Sequence, residues 1–162
     1  MLRTISTLIM TLIGLYSYSQ SAITWEKSYG GSWYEIGYSV DQTSDGGIVV
    51  AGFNWSTDGD VAGHHGSVSE PDGWILKLDA NGDTIWTRSL GGTRAEYANM
   101  ILETSDLGFI VAGQAKSIDG DVWDHHGQVW YYDVWLVKLD ANGDTLWTKS
   151  YGGTDDDYAY AI

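Results

Sequence analysis

"DGWILKLDANGDTIW" at residues 72–86 returns 61 positions later as "DVWLVKLDANGDTLW" at residues 133–147. Trp74, Leu76 and Leu78 alternate with Ile75 and Lys77, the period-two pattern of a β-strand. "DANGD" follows, and its Asn-Gly pair takes positive φ readily, so a tight hairpin into the next "TIW" strand is expected. The repetition is general. Trp25, Trp86 and Trp147 are spaced 86 − 25 = 61 and 147 − 86 = 61. "SYGGS" (28–32) becomes "SLGGT" (89–93) and "SYGGT" (150–154), and "TSDGGIVVAG" (43–52) becomes "TSDLGFIVAG" (104–113). An ungapped period of this length marks a repeat architecture.

Each copy reads as four short strands. "ITWEKSYGG" (23–31) alternates and closes on Gly-Gly, and "EIGYSVDQT" (35–43) ends at the Ser-Asp-Gly-Gly turn. "IVVAGF" (48–53) is a near-continuous apolar run, as expected of a strand covered on both faces. "GWILKLD" (73–79) is the fourth. No stretch has sustained helical spacing, so the fold class is all-β. Four antiparallel strands per repeat with glycine-rich turns predict β-propeller-type blades over 25–85 and 86–146, with a partial repeat over 147–162. The long polar loops, 56–72 and 117–133, are expected to join the third and fourth strands and project from one rim. A β-solenoid has shorter coils without hairpins and fits less well.

The first 22 residues differ in kind. Arg3, the apolar run Ile5 to Tyr16, and small residues flanking Tyr18 lay out a secretory signal peptide over 1–19. A dozen apolar residues fall short of the about 20 needed to span a bilayer. Residues 20–162 then form the repeat region of a secreted or cell-surface protein. The chain holds 22 acidic against 8 basic residues, a net charge of −14. Such a surface repels phosphate backbones and argues against nucleic acid as a partner. There are no cysteines, so stability must come from packing, for which 9 Trp and 11 Tyr supply large apolar areas.

The run "W-x-K-S-Y-G-G-S … T-S-D-G-G-x-x-V-A-G … D-G-D-V … H-G … D-x-W-x-x-K-L-D-x-N-G-D" resembles the repeats of secreted proteins from Bacteroidetes-type bacteria, within the broader group of seven-bladed β-propeller-like repeats. The resemblance covers residues 23–162. It implies an exported propeller, of the kind carried as type IX secretion cargo with a C-terminal sorting domain, and no particular reaction. It also implies that His65 and His126, the second histidine of each pair, are the architectural ones, buried and hydrogen-bonded. Two full repeats and the start of a third make an incomplete propeller, so an N-terminal fragment is expected. A ring of several short chains is the other arrangement, requiring an oligomer.

"DGDVAGHHG" (58–66) and "DGDVWDHHG" (119–127) gather carboxylates and imidazoles. Asp58, Asp60, Asp119 and Asp121 are candidate calcium ligands, since Asp-Gly-Asp offers hard oxygens on a flexible turn. The same dipeptides are also common turn chemistry, which needs no ion. Adjacent histidines on an extended chain point to opposite faces, which argues against zinc. "DANGD" fails as an EF-hand loop for want of the twelfth-position glutamate. No nucleophile elbow or phosphate-cradling loop is present, and no catalytic residue is assigned. The aromatics of the second long loop, Trp123, Trp130, Tyr131 and Tyr132, form a candidate platform for a glycan or a surface protein. The expected role is a non-catalytic binding or scaffold module. The alternatives are a carbohydrate-active enzyme whose catalytic residues lie in further blades, or a structural spacer.

Overall fold

A computed structural model describes residues 23–162, so the expected signal peptide lies outside the described residues. These residues contain no helix and eight strands. β1 (Glu35–Gln42), β2 (Ile48–Asn54), β3 (Asp72–Leu78) and β4 (Thr84–Leu90) form one antiparallel sheet in sequence order. β5 (Glu96–Glu103), β6 (Phe109–Ala115), β7 (Asp133–Leu139) and β8 (Thr145–Tyr151) form a second of the same order. The fold is all-β, and the two sheets repeat the 61-residue offset strand for strand.

Two turn types make these meanders. After β3, Asp79 Oδ1 accepts the N–H groups of Asn81 and Asp83, both at 2.8 Å, while Gly82 sits at φ +76°. Only glycine takes that backbone without strain, and a Cβ there would also lie 3.0 Å from the Trp25 ring. The second constraint is the bulge in β1, between Gly37 and Ser39, and its copy in β5, between Ala98 and Met100. The bulge brings the Ile36 carbonyl onto Gly52, where a Cβ would stand 1.8 Å from it, and the Tyr97 carbonyl onto Gly113 at the same distance. This is why each "VAG" ends in glycine.

The expected phase of the strands needs correction. Residues 23–31, read as the first strand of a repeat, carry no strand. Their counterparts 84–90 and 145–151 are instead the last strand of the preceding sheet, paired to β3 and β7 through the five-residue turn. The long loops therefore join the second and third strands of each sheet, not the third and fourth. The reason is local: the 79–83 turn hands the chain directly back to β3, whereas Gly91-Gly92 breaks it before β5. Residues 25–29 have no such hairpin partner, yet they lie on the first sheet as 86–90 lie on the second. Trp25 Nε1 donates to the Ala80 carbonyl and Trp86 Nε1 to the Ala141 carbonyl, each at 3.2 Å. Lys27 pairs with Asp83 as Arg88 pairs with Asp144.

β3 alternates as its sequence indicates, and both of its faces are covered, with all seven residues buried. Ile75, with Val49 and Ala51, packs against Phe109, Val111, Trp135, Val137 and Leu139 of the second sheet, making one core between the sheets. Trp86 closes the end of that core against Phe109, with ring centroids 5.6 Å apart. Trp74, Leu76 and Leu78 face the other way, into a smaller cluster with Val61, Tyr29 and Val50. Lys77 is buried because its Nζ is received by both Asp45 carboxylate oxygens, at 3.1 and 2.9 Å, and by the Leu78 carbonyl.

Candidate functional site

The Gly-Gly-Ser/Thr turns explain the paired aspartates. Gly30, Gly31 and Ser32 present three successive backbone N–H groups, a concavity that favours negative charge. Asp60 Oδ2 accepts from Gly30 at 3.0 Å, Glu35 Oε2 from Gly31 at 2.9 Å, and Asp58 Oδ1 from Ser32 at 2.8 Å. The second copy repeats this: Asp121 takes Gly91, Glu96 takes Gly92, and Asp119 takes Thr93 through both its N–H and its hydroxyl. The four calcium candidates thus clasp the turns that lead from one copy to the next. The hydrogen bonds from Ser32 hold Asp58 below the usual carboxylate range. Among the described residues, no three His, Asp or Glu side chains converge to hold an ion.

Behind the second turn lies Glu96, fully buried, whose other oxygen accepts from the N–H groups of Lys116 and Ser117 at 3.2 and 2.9 Å. Burial pushes its carboxyl up to about 7, and the Asp72 charge adds to this, against the pull of the backbone donors. Burial raises Asp72 as well. Its Oδ2 accepts from both the backbone N–H and the ring of His65, at 2.6 and 2.9 Å, while Oδ1 has no partner. A carboxyl raised on folding binds its proton more tightly in the folded state. It therefore contributes stability that is complete below the unfolded value and lost as pH rises through the folded one. For Glu96 that window runs from 4.5 to about 7, and the contribution is about 3 kcal/mol. The urea midpoint is thus expected to fall between pH 5 and pH 8, and Glu96→Gln is expected to flatten the fall. A midpoint that holds steady or rises over this range would sink the assignment.

The resemblance implied that His65 and His126 are buried and hydrogen-bonded; they do bond the buried Asp72 and Asp133, but burial falls to the other member of each pair. The first of each pair is the buried one, with the His64 side chain 2% exposed and His125 1%, against 36% for His65 and 49% for His126. His64 Nδ1 meets Asn54 Oδ1 at 3.0 Å. His65 lies at the seam between the sheets, bonded to Asp72 of the first and 3.8 Å from Asp121 of the second. Its neighbourhood is a cleft where Ala62 and Arg88–Leu90 face Gly143–Thr145. The cleft at the same place in the second copy, lined by Asp124–His126 and Lys149–Tyr151, has a volume of about 440 Å³.

A larger groove, of about 680 Å³, lies elsewhere, lined by Tyr38, Tyr97, Tyr132, Tyr158 and Tyr160 with Asn99 and Gln114. β1 supplies Tyr38, β5 supplies Tyr97 and Asn99, and β6 supplies Gln114. Tyr132 stands just before β7, and Tyr158 and Tyr160 lie beyond β8. The rings follow one another closely: Tyr38–Phe53 at 5.6 Å, Phe53–Tyr97 at 5.1 Å, Tyr97–Tyr132 at 5.9 Å, Tyr132–Tyr158 at 5.8 Å and Tyr158–Tyr160 at 6.0 Å. Burial raises the phenols of Tyr38, Tyr97, Tyr132 and Tyr158 above their ordinary value.

Of the aromatics expected to form a platform, only Tyr132 joins this groove. Trp130 is exposed under the Arg94 guanidinium, 4.9 Å from its ring centroid. Tyr131 and Trp123 are exposed, and neither lines the groove. The other groove residues come from strands and the segment after β8, outside the long loops in which the platform was expected. A usable signal was present: the groove collects positions where the copies differ. Tyr38, Asn99 and Tyr160 share one repeat position, Phe53 and Gln114 another, and Pro71 and Tyr132 a third.

A scan against protein-family models finds no match, and a search of curated proteins finds none either. The fold and this groove define the class of protein at hand as an all-β repeat protein of paired four-stranded antiparallel sheets.

Proposed function

We propose that the chain is a secreted or cell-surface β-propeller-type repeat protein that acts as a non-catalytic binding module. The propeller reading is supported by the contacts that recur at the 61-residue offset: the same turn clasp, the same Trp-to-turn packing and the same sheet order. Stacking like sheets face to face around an axis is how propellers bury both sides of each blade. Export is supported by the composition of residues 1–19.

The observation that carries the binding role is the tyrosine groove, where the otherwise repeated surface becomes unique. Large rings with polar tips give contact area at low entropic cost. The carboxylates that the repeats bring together clasp backbone amides, which supports a binding role over hydrolysis by paired acids. The test is to immobilise the full chain and pass over it a panel of soluble glycans and extracellular proteins, with product analysis of every glycan. Reversible, saturable binding with the glycans recovered intact is expected. Cleavage of a glycan would overturn the non-catalytic reading in favour of a carbohydrate-active enzyme.

A further inference from the structure

We propose that the groove takes a neutral oligosaccharide, laid along the tyrosine run; the proposal rests on the binding-module reading above. Three observations narrow the ligand. First, Tyr38, Tyr158 and Tyr160 are 51%, 42% and 71% exposed, so their rings are available on the open side of a run whose deeper members are anchored by Phe53. The Tyr97, Tyr132, Tyr158 and Tyr160 rings pack on one another with centroids 5.8 to 6.0 Å apart, so the C–H faces of linked sugars would meet the exposed parts of Tyr38, Tyr158 and Tyr160 along this run.

Second, the polar groups of the groove are poised for hydroxyls. Asn99 Nδ2 donates to Gln114 Oε1 at 2.7 Å and to the Ala159 carbonyl at 2.8 Å, which uses both its protons. Asn99 Oδ1 is left as an acceptor and Gln114 Nε2 as a donor, the complementary pair that neighbouring sugar hydroxyls satisfy. The Tyr38 and Tyr160 hydroxyls, on exposed rings, add groups of the same kind.

Third, among the described residues no ionised side chain lines the groove, although the Tyr158 hydroxyl bonds the Asp156 carboxylate at its edge. Lys116 lies against the Tyr132 ring, 4.0 Å from its centroid, and Asp156 is engaged by the Tyr132 N–H at its rim. A chain of net charge −14 repels polyanions over a Debye length. Uronic-acid chains and nucleic acids are therefore disfavoured against neutral glycans. A lipid tail is disfavoured by the hydroxyl and amide lining.

The experiment is calorimetric titration of the full chain with cellohexaose, xylohexaose and mannohexaose, and with hexagalacturonate as the acidic counterpart. At least one neutral hexasaccharide is expected to bind saturably. Tyr38→Ala and Tyr160→Ala are each expected to weaken it about tenfold without moving the melting temperature. Tyr160→Phe, which keeps the ring, is expected to retain most of the affinity. Binding of hexagalacturonate alone, or neutral binding indifferent to both alanine variants, would overturn the proposal. Absence of binding by all four sugars, with a protein from the surface panel captured through Tyr38 and Tyr160, would overturn it while leaving the binding-module reading intact. Silence across both panels would remove both.

Discussion

Replacing Glu96 by alanine is expected to cost about 3–5 kcal/mol, among the largest effects available from a single polar side chain here. Its carboxyl oxygens receive the N–H groups of Gly92, Lys116 and Ser117 at a fully buried side chain. Truncation would leave two buried donors, the Gly92 and Ser117 N–H groups, without acceptors, while the Lys116 N–H keeps the Ala95 carbonyl. Each orphaned donor costs about 1–3 kcal/mol, less whatever relaxation recovers. The first copy contains its own control. Glu35 makes the corresponding bonds to Gly31 and Ser56, at 2.9 and 3.2 Å, but is only half-buried with the Gly31 bond exposed. Solvent can replace it, so Glu35→Ala is expected to cost under about 1 kcal/mol. Urea denaturation of both variants at pH 6, followed by circular dichroism, measures the difference. Equal losses would show that burial does not govern the strength of the clasp.

Trp135→Ala is expected to cost a similar about 3–5 kcal/mol, by a different route. The Trp135 side chain is fully buried within the core between the sheets, and its indole Nε1 donates to Thr148 Oγ1. Removing it deletes the transfer free energy of the indole and leaves a cavity that rigid strands on both sides cannot fill. A drop in melting temperature of about 10 °C or more follows for a chain of this size. Trp147→Ala is the comparison. Trp147 is 43% exposed, at the repeat position where Trp86 packs on Phe109. Its loss is expected to shift the melting temperature by no more than a few degrees. If the two variants melt alike, the core does not lie where Trp135 places it.

Much of the architecture was legible in the residues. The 61-residue offset, the alternation of "GWILKLD", and the Asn-Gly and Gly-Gly turns follow from local propensities, which act over a few residues and survive any tertiary context. The phase of the strands did not. "ITWEKSYGG" and "TIWTRSLGG" carry the same pattern, and only the second finds a hairpin partner across the 79–83 turn. Pattern alone cannot say which neighbour a strand joins. Which histidine is buried was misjudged for a related reason, because burial of His64 and exposure of His65 depend on where the next sheet lies.

The aspartates of "DGDV" sit between these cases. Their turn chemistry was readable, but their targets lie 26 and 30 residues away on the Gly-Gly-Ser turn. Composition and period by themselves determined the class, the repeat and the turns, because these are properties of neighbouring residues. Tertiary structure alone decided which carboxylates clasp which amides, which tryptophan is core, and that tyrosines from three repeats meet in one groove. Those outcomes depend on packing one sheet against the next, which brings together residues about 60 apart in the chain, each in an environment its own segment does not contain.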